Sequence, residues 1–135
     1  MKKLLIFISI LLFLMGCSNN ENEGQLTRVD VFEVTEGGDY EDEMIIANQD
    51  SIEVLWQVFD QIEWEQNVKA EMSRIEDIKT VLFMEVDENM PERLVEYYIW
   101  FEGNGTSTFI DRDTNSLGKL NEEGTDILKS EFEKK

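Results

Sequence analysis

Four oxygen-bearing side chains near the end of the sequence have the spacing of a calcium-binding loop. They are Asp111, Asp113, Asn115 and Glu122, which fall at the first, third, fifth and twelfth positions of an EF-hand loop. Carboxylate and amide oxygens at these positions wrap around a hard cation such as Ca²⁺. Two residues oppose the prediction, because Ser116 stands where the sharp turn needs glycine and Gly118 stands where an aliphatic residue is expected. The alternative is a polar turn between two strands, since Asp, Asn and Ser favour turns by themselves.

An aromatic segment, Arg93–Phe101, is predicted to be a strand, and it supplies a second candidate site. Because side chains alternate along a strand, Tyr98 and Trp100 share one face with Leu94, whereas Tyr97 faces the other way. If the first face stays uncovered, Tyr98 and Trp100 form the best patch for a sugar or peptide ligand. The alternative is that both faces are packed in the core.

Paired carboxylates are a third source of chemistry. Glu85 and Glu96 would lie close together if the strands on either side of Pro91 paired in a register that places these two residues opposite each other. Such a pair of carboxylates can act in glycan hydrolysis. Like charges directly opposed destabilise a sheet, so we expect them to be apart and solvated. The chain contains no histidine, which excludes imidazole-based nucleophile activation and the usual zinc sites. The sequence therefore favours a protein without catalytic activity, and a carboxylate-based hydrolase of wall glycan is the least favoured hypothesis.

The amino-terminal segment has the layout of a secretory signal. Lys2 and Lys3 precede an apolar run over residues 4–15, whose length as a helix, ~18 Å, is too short for the ~30 Å hydrocarbon core of a bilayer. The following residues resemble the lipobox of bacterial lipoproteins, and they are Leu14, Met15, Gly16 and Cys17. That resemblance implies cleavage after Gly16 and a diacylglyceryl group on Cys17. Two acyl chains anchor a protein stably, so we expect a location at the extracytoplasmic face of the cell membrane.

The remaining sequence divides into a tether and one domain. Residues 1–16 are the predicted signal peptide, residues 17–25 are the lipidated cysteine with a polar tether, and residues 26–135 suffice for one core. The chain carries 12 basic and 30 acidic residues, so its formal net charge is −18. Such a field disfavours nucleic acid and favours a cationic protein or small-molecule partner.

Periodicity predicts an α+β fold with an antiparallel β-meander sheet and two helices. Alternation and β-branched residues predict strands over residues 27–34, 44–47, 79–86, 93–101, 106–111 and 117–120. Helical spacing of apolar residues predicts one helix capped by Asp50 with Glu53 as its reciprocal partner. A second helix is predicted to begin after Asn121 as its cap.

The lipobox, the capped helix ending in Val58–Ile62 (VFDQI) and the aromatic stretch Tyr97–Phe101 (YYIWF) together resemble the small YhfM-like lipoproteins of Gram-positive bacteria. The Leu117–Leu120 (LGKL) turn into a short helix adds to the likeness. This family has no assigned activity, so the resemblance implies no catalytic residue. Three functions remain open in order of preference: a binding module for a protein or small ligand, a calcium-responsive surface domain, and the glycan hydrolase.

Overall fold

The computed structural model describes residues 24–65, 68 and 70–134, and within them it has nine regular elements. The strands are β1 (Gln25–Val34), β2 (Tyr40–Ile46), β3 (Glu63–Glu65), β4 (Ile78–Glu85), β5 (Arg93–Phe101), β6 (Ser107–Asp111) and β7 (Ser116–Leu120). The helices are α1 (Gln49–Asp60) and α2 (Glu122–Phe132). In this part of the chain, neither helix has the length and apolarity needed to cross a membrane.

All neighbouring strands pair antiparallel in one sheet of order β2-β1-β4-β5-β6-β7-β3. Strands β4 to β7 follow one another as the predicted meander. The α1 helix connects β2 to β3, which lie at opposite edges of the sheet, and it contacts both β1 and α2. The α+β prediction with an antiparallel sheet and two helices is therefore confirmed.

The core lies between the helices and one face of the sheet. Alternation along β4 buries Ile78, Thr80, Leu82 and Met84, and these side chains face the apolar stripe of α1. The buried apolar residues of this layer form one cluster: Leu26, Val29, Val31, Ile46, Ile52, Leu55, Val58, Phe59, Ile62, Ile78, Leu82, Met84, Ile99, Phe109, Leu120, Leu128 and Phe132. Neither of the two described helices lies on the opposite face of the sheet.

The two helix starts differ in how well the sequence predicts them. Asn121 caps α2 as expected, since its Oδ1 accepts a hydrogen bond from the Gly124 amide at 2.8 Å. The expected cap of α1 by Asp50 is wrong: Asn48 is the N-cap and makes no side-chain cap hydrogen bond. Asp50 lies two residues further on, in the first turn, where a carboxylate stabilises the helix through its dipole.

The second strand is longer than the sequence predicts. The sequence predicts a strand over residues 44–47, but β2 begins at Tyr40 and includes Glu41, Asp42 and Glu43. Because β2 is an edge strand, these side chains stay exposed while the backbone pairs with β1. In the turn between β5 and β6, Gly105 has a φ of 92° and its amide donates to the Glu102 carbonyl.

Candidate functional site

The expected calcium loop is a β-hairpin turn. Asp111 ends β6 and is the Cα partner of Ser116, which begins β7. The Asp111 Oδ1 accepts hydrogen bonds from the backbone amides of Asp113 at 2.9 Å and Thr114 at 3.4 Å. Asn115 adopts a left-handed φ of 53°, which asparagine tolerates. These features are those of the polar turn that was the alternative.

Glu122 is distant from the other three proposed ligands. It lies in the first turn of α2, beside Gly105, whereas Asp111 and Asp113 lie at the other end of the β6–β7 hairpin. Strands of this length separate the two ends by ~13 Å. The described residues contain no group of three or more His, Cys, Asp or Glu side chains arranged to hold a metal. The prediction that Asp111, Asp113, Asn115 and Glu122 share one ion is therefore wrong.

Tyr98 and Trp100 lie on the sheet face opposite the two described helices, as alternation requires, but Trp100 is only 3% exposed. Its indole N–H donates to the Arg74 carbonyl at 3.0 Å, and the Arg74 guanidinium is paired with Asp77 at 2.8 Å. Tyr98 is half-buried, with the Arg112 guanidinium 5.0 Å above its ring. Trp100 thus does not form the exposed patch expected from the sequence, because the segment carrying Arg74 covers it.

The carboxylate pair considered from the sequence is not formed. Strand register places Glu96 opposite Val81, so Glu85 lies four residues further along β4. Glu96 pairs instead with Lys79 at 2.9 Å. The lipobox residues Leu14, Met15, Gly16 and Cys17 lie outside the described residues.

A cleft of about 280 Å³ opens on the helix-bearing side of the sheet, at the carboxyl end of α1. Apolar side chains from the helix and from two strands line it, namely Trp56, Phe59, Leu82, Met84 and Val95. Four polar side chains converge on the same space, namely Asp60, Arg93, Tyr97 and Asp111. An apolar lining with a few converging polar groups is the usual composition of a small-molecule site.

Tyr97 is one of the residues that line this cleft. Its ring packs against Phe59, Trp64 and Phe109, with centroid distances of 5.8, 5.4 and 6.0 Å. Burial and the nearby negative charge of Asp111 raise the pKa of Tyr97 to about 12, although the positive charge of Arg93 acts in the opposite direction. The Tyr97 hydroxyl is therefore protonated at neutral pH. It makes no hydrogen bond among the described residues. It is a donor available to a ligand.

The charged groups of the cleft do not pair with one another. Arg93 forms no ion pair with the residues that the structure describes, although Asp60 and Asp111 line the same space. Asp60 is the last residue of α1, whose last turn contains no basic residue. A carboxylate there opposes the helix dipole, so this position does not serve helix stability.

A larger depression of about 710 Å³ lies beside the β5–β6 turn, but the polar groups nearest the turn satisfy each other. Asn104 accepts hydrogen bonds from the Thr106 amide and hydroxyl at 3.1 and 2.6 Å, and the Thr108 hydroxyl donates to Glu102 at 3.0 Å. The cleft at α1 is the better candidate, because Asp60, Arg93 and the Tyr97 hydroxyl have no side-chain partner among the described residues. Asp111 is hydrogen-bonded through Oδ1 alone.

Sequence reasoning selected only Asp111 among the polar residues of the cleft. Two signals in the sequence were missed. Asp60 is an acidic residue at the carboxyl end of a helix, and Arg93 lies on the same face of β5 as Val95 and Tyr97, two and four residues later. A charge on the core-facing side of a strand is unfavourable unless it serves a site.

No protein-family model and no curated protein matches the chain. Among solved structures, the fold is similar to a thioesterase-like protein from Clostridium sporogenes ATCC 15579, with a TM-score of 0.57 and 17% identity. The match covers 84% of this chain and 99% of that protein. At this identity, the likeness shows a shared fold.

Proposed function

We propose that this protein is a lipoprotein related to the YhfM-like family, anchored at the extracytoplasmic face by a diacylglyceryl group on Cys17. We further propose that its domain is a non-enzymatic module that binds a small ligand in the α1 cleft. The lipobox supports the anchor, and the polar residues that follow it supply a spacer between lipid and domain.

The observation that carries the binding role is the composition of the cleft. An apolar floor stands beside one cation, two carboxylates and the Tyr97 hydroxyl. The charged groups are unpaired within the described residues, so a ligand can engage them without breaking an existing ion pair. Its volume of about 280 Å³ lies near the lower end of the range for small-molecule sites and favours a ligand of metabolite size.

The anchor is tested by feeding producing cells a clickable palmitate analogue. The full chain should incorporate the label and remain with the membrane fraction, whereas Cys17→Ala should lose both properties. Equal labelling of the two proteins would contradict lipidation at Cys17.

The binding role is tested by intrinsic tryptophan fluorescence of the detergent-solubilised full chain against a panel of amino acids, amines, organic acids and sugars. Trp56 lines the cleft, so a bound ligand should change the emission and the change should be lost in Trp56→Phe. A panel without any saturable response would contradict a binding role for the cleft.

A second candidate is thioester hydrolysis, which is favoured by the fold likeness to a thioesterase-like protein and by two carboxylates in one cleft. Asp111 would act as general base on water, since its Oδ1 is held by two backbone amides. The assay follows thiol release from short acyl thioesters, with Asp111→Asn as the inactive variant. A rate equal to that of buffer would remove this candidate.

A further inference from the structure

We infer that the cleft takes a zwitterion with an apolar substituent, of the class of apolar α-amino acids. This inference rests on the proposed binding function and specifies its ligand. The ligand's ammonium group would lie at Asp60 and Asp111, its carboxylate at Arg93 and Tyr97, and its side chain on the apolar floor.

The ammonium position follows from three sources of negative potential. Asp60 and Asp111 both line the cleft, and the carboxyl end of α1 adds the partial negative charge of its free carbonyls. The hydrogen bonds that Asp111 receives from the turn both reach Oδ1, which fixes the side chain and leaves Oδ2 for a ligand. A primary ammonium group has three donors and can bridge two such carboxylates.

The carboxylate position follows from Arg93 and Tyr97. Arg93 is exposed and without an ion-pair partner among the described residues, and its planar guanidinium matches a carboxylate with two parallel hydrogen bonds. Tyr97 stays protonated at neutral pH and donates a further hydrogen bond. A ligand with only a positive charge would be repelled by Arg93 and leave it unpaired. A ligand with only a negative charge would be repelled by the two aspartates and leave them unpaired.

The apolar part has a matching surface. Phe59, Leu82 and Val95 belong to or pack against the main core, so the floor is held rigidly. Trp56 is half-buried at the wall and provides an amphipathic ring for contact.

The test compares three probes with the same apolar side chain on the full chain: leucine, leucinamide and N-acetylleucine. Leucinamide lacks the carboxylate and N-acetylleucine lacks the ammonium charge. Leucine should bind most tightly, with each altered probe weaker by about fivefold, the contribution of one partly exposed ion pair. Binding is followed by tryptophan fluorescence and confirmed by calorimetry.

Variants assign each charge to its residue. Arg93→Gln should abolish the preference for leucine over leucinamide, whereas Asp60→Asn with Asp111→Asn should abolish the preference over N-acetylleucine. Asparagine keeps the turn at residue 111, so the fold is retained. The matched controls are Arg112→Gln, on the other face of the sheet, and the exposed Asp126→Asn, which should leave all three affinities unchanged.

The outcomes separate the two levels of the proposal. Equal affinity for the three probes would overturn the zwitterion and leave the binding role standing. Failure of all three and of the other apolar amino acids, with saturable binding of an amine, organic acid or sugar from the fluorescence panel, would also overturn the zwitterion alone. Failure of every compound would overturn both.

Discussion

Glu131 is expected to stabilise the fold through a negative charge buried between the two helices. Its side chain is 6% exposed, and Lys134 Nζ donates to Oε1 at 2.8 Å, while Oε2 is buried without a hydrogen-bond partner among the described residues. Burial alone would raise the pKa of Glu131, but the hydrogen bond and charge of Lys134, together with the nearby Ser51 hydroxyl, lower it. Ser51 is in the first turn of α1, so the carboxylate also lies near the positive end of that helix.

The Glu131→Gln variant keeps the size of the side chain and removes the charge. A hydrogen bond to a charged group contributes ~1.5–3 kcal/mol, but Lys134 is 61% exposed and solvent screening reduces its share. We therefore expect a loss of about 1 kcal/mol in unfolding free energy at pH 7, a fall of about 4 °C in Tm.

The direction of the pKa shift of Glu131 determines how the stability difference between parent and variant depends on pH. A lowered folded pKa means that the contribution of Glu131 is complete above the unfolded value of about 4.3 and is lost as pH falls through the folded pKa. The difference between parent and variant should thus be constant near neutral pH and shrink towards zero in acid. Taking the difference cancels the titration of the other carboxylates.

The assay is urea denaturation followed by circular dichroism from pH 7 to acid, with the exposed Glu133→Gln as a control of equal charge change on the same helix. The reasoning is refuted if both variants lose the same stability, or if the loss from Glu131→Gln persists where the carboxyl group is protonated.

Three further predictions follow from other contacts. Gly118→Val should lower the free energy of unfolding by about 2 kcal/mol or more, because an added Cβ would lie 2.6 Å from the Ile62 side chain. A variant as stable as the parent in urea would contradict this. Asn121→Ala should cost about 1 kcal/mol by removing the cap on Gly124, measured as a lower Tm, whereas Asn121→Asp should retain most of it. Trp100→Ala should lower the free energy of unfolding by about 3–5 kcal/mol without altering ligand affinity in the cleft, since the indole is buried on the other face of the sheet. Weaker ligand binding in a folded variant would count against the site.

Much of the fold is readable from local patterns. The limits of β5 and the cap of α2 were predicted to the residue, because a run of aromatic and β-branched residues and a side-chain cap are properties of a few adjacent residues. The start of β2 was not, since nothing local shows that acidic residues will pair along an edge. The burial of Trp100 was missed for a similar reason: its cover comes from Arg74, 26 residues earlier.

The candidate site was harder to predict than the fold. Asp60, Arg93 and Asp111 belong to three different elements, and their proximity depends on where α1 crosses the sheet. The calcium spacing failed because it assumed a loop closing on itself, while strand pairing carries Glu122 away from Asp111. Sequence spacing alone cannot distinguish these two paths of the chain.

Both edges of the sheet end in acidic strands, and this controls how two copies of the protein can meet. β2 presents Glu41, Asp42 and Glu43 along one edge, and β3 presents Glu63 and Glu65 along the other. Joining any two edges through backbone hydrogen bonds would bring rows of carboxylates together, so electrostatic repulsion blocks open-ended polymerisation at neutral pH. The acidic edge strands are therefore a determinant of colloidal behaviour that is separate from folding stability.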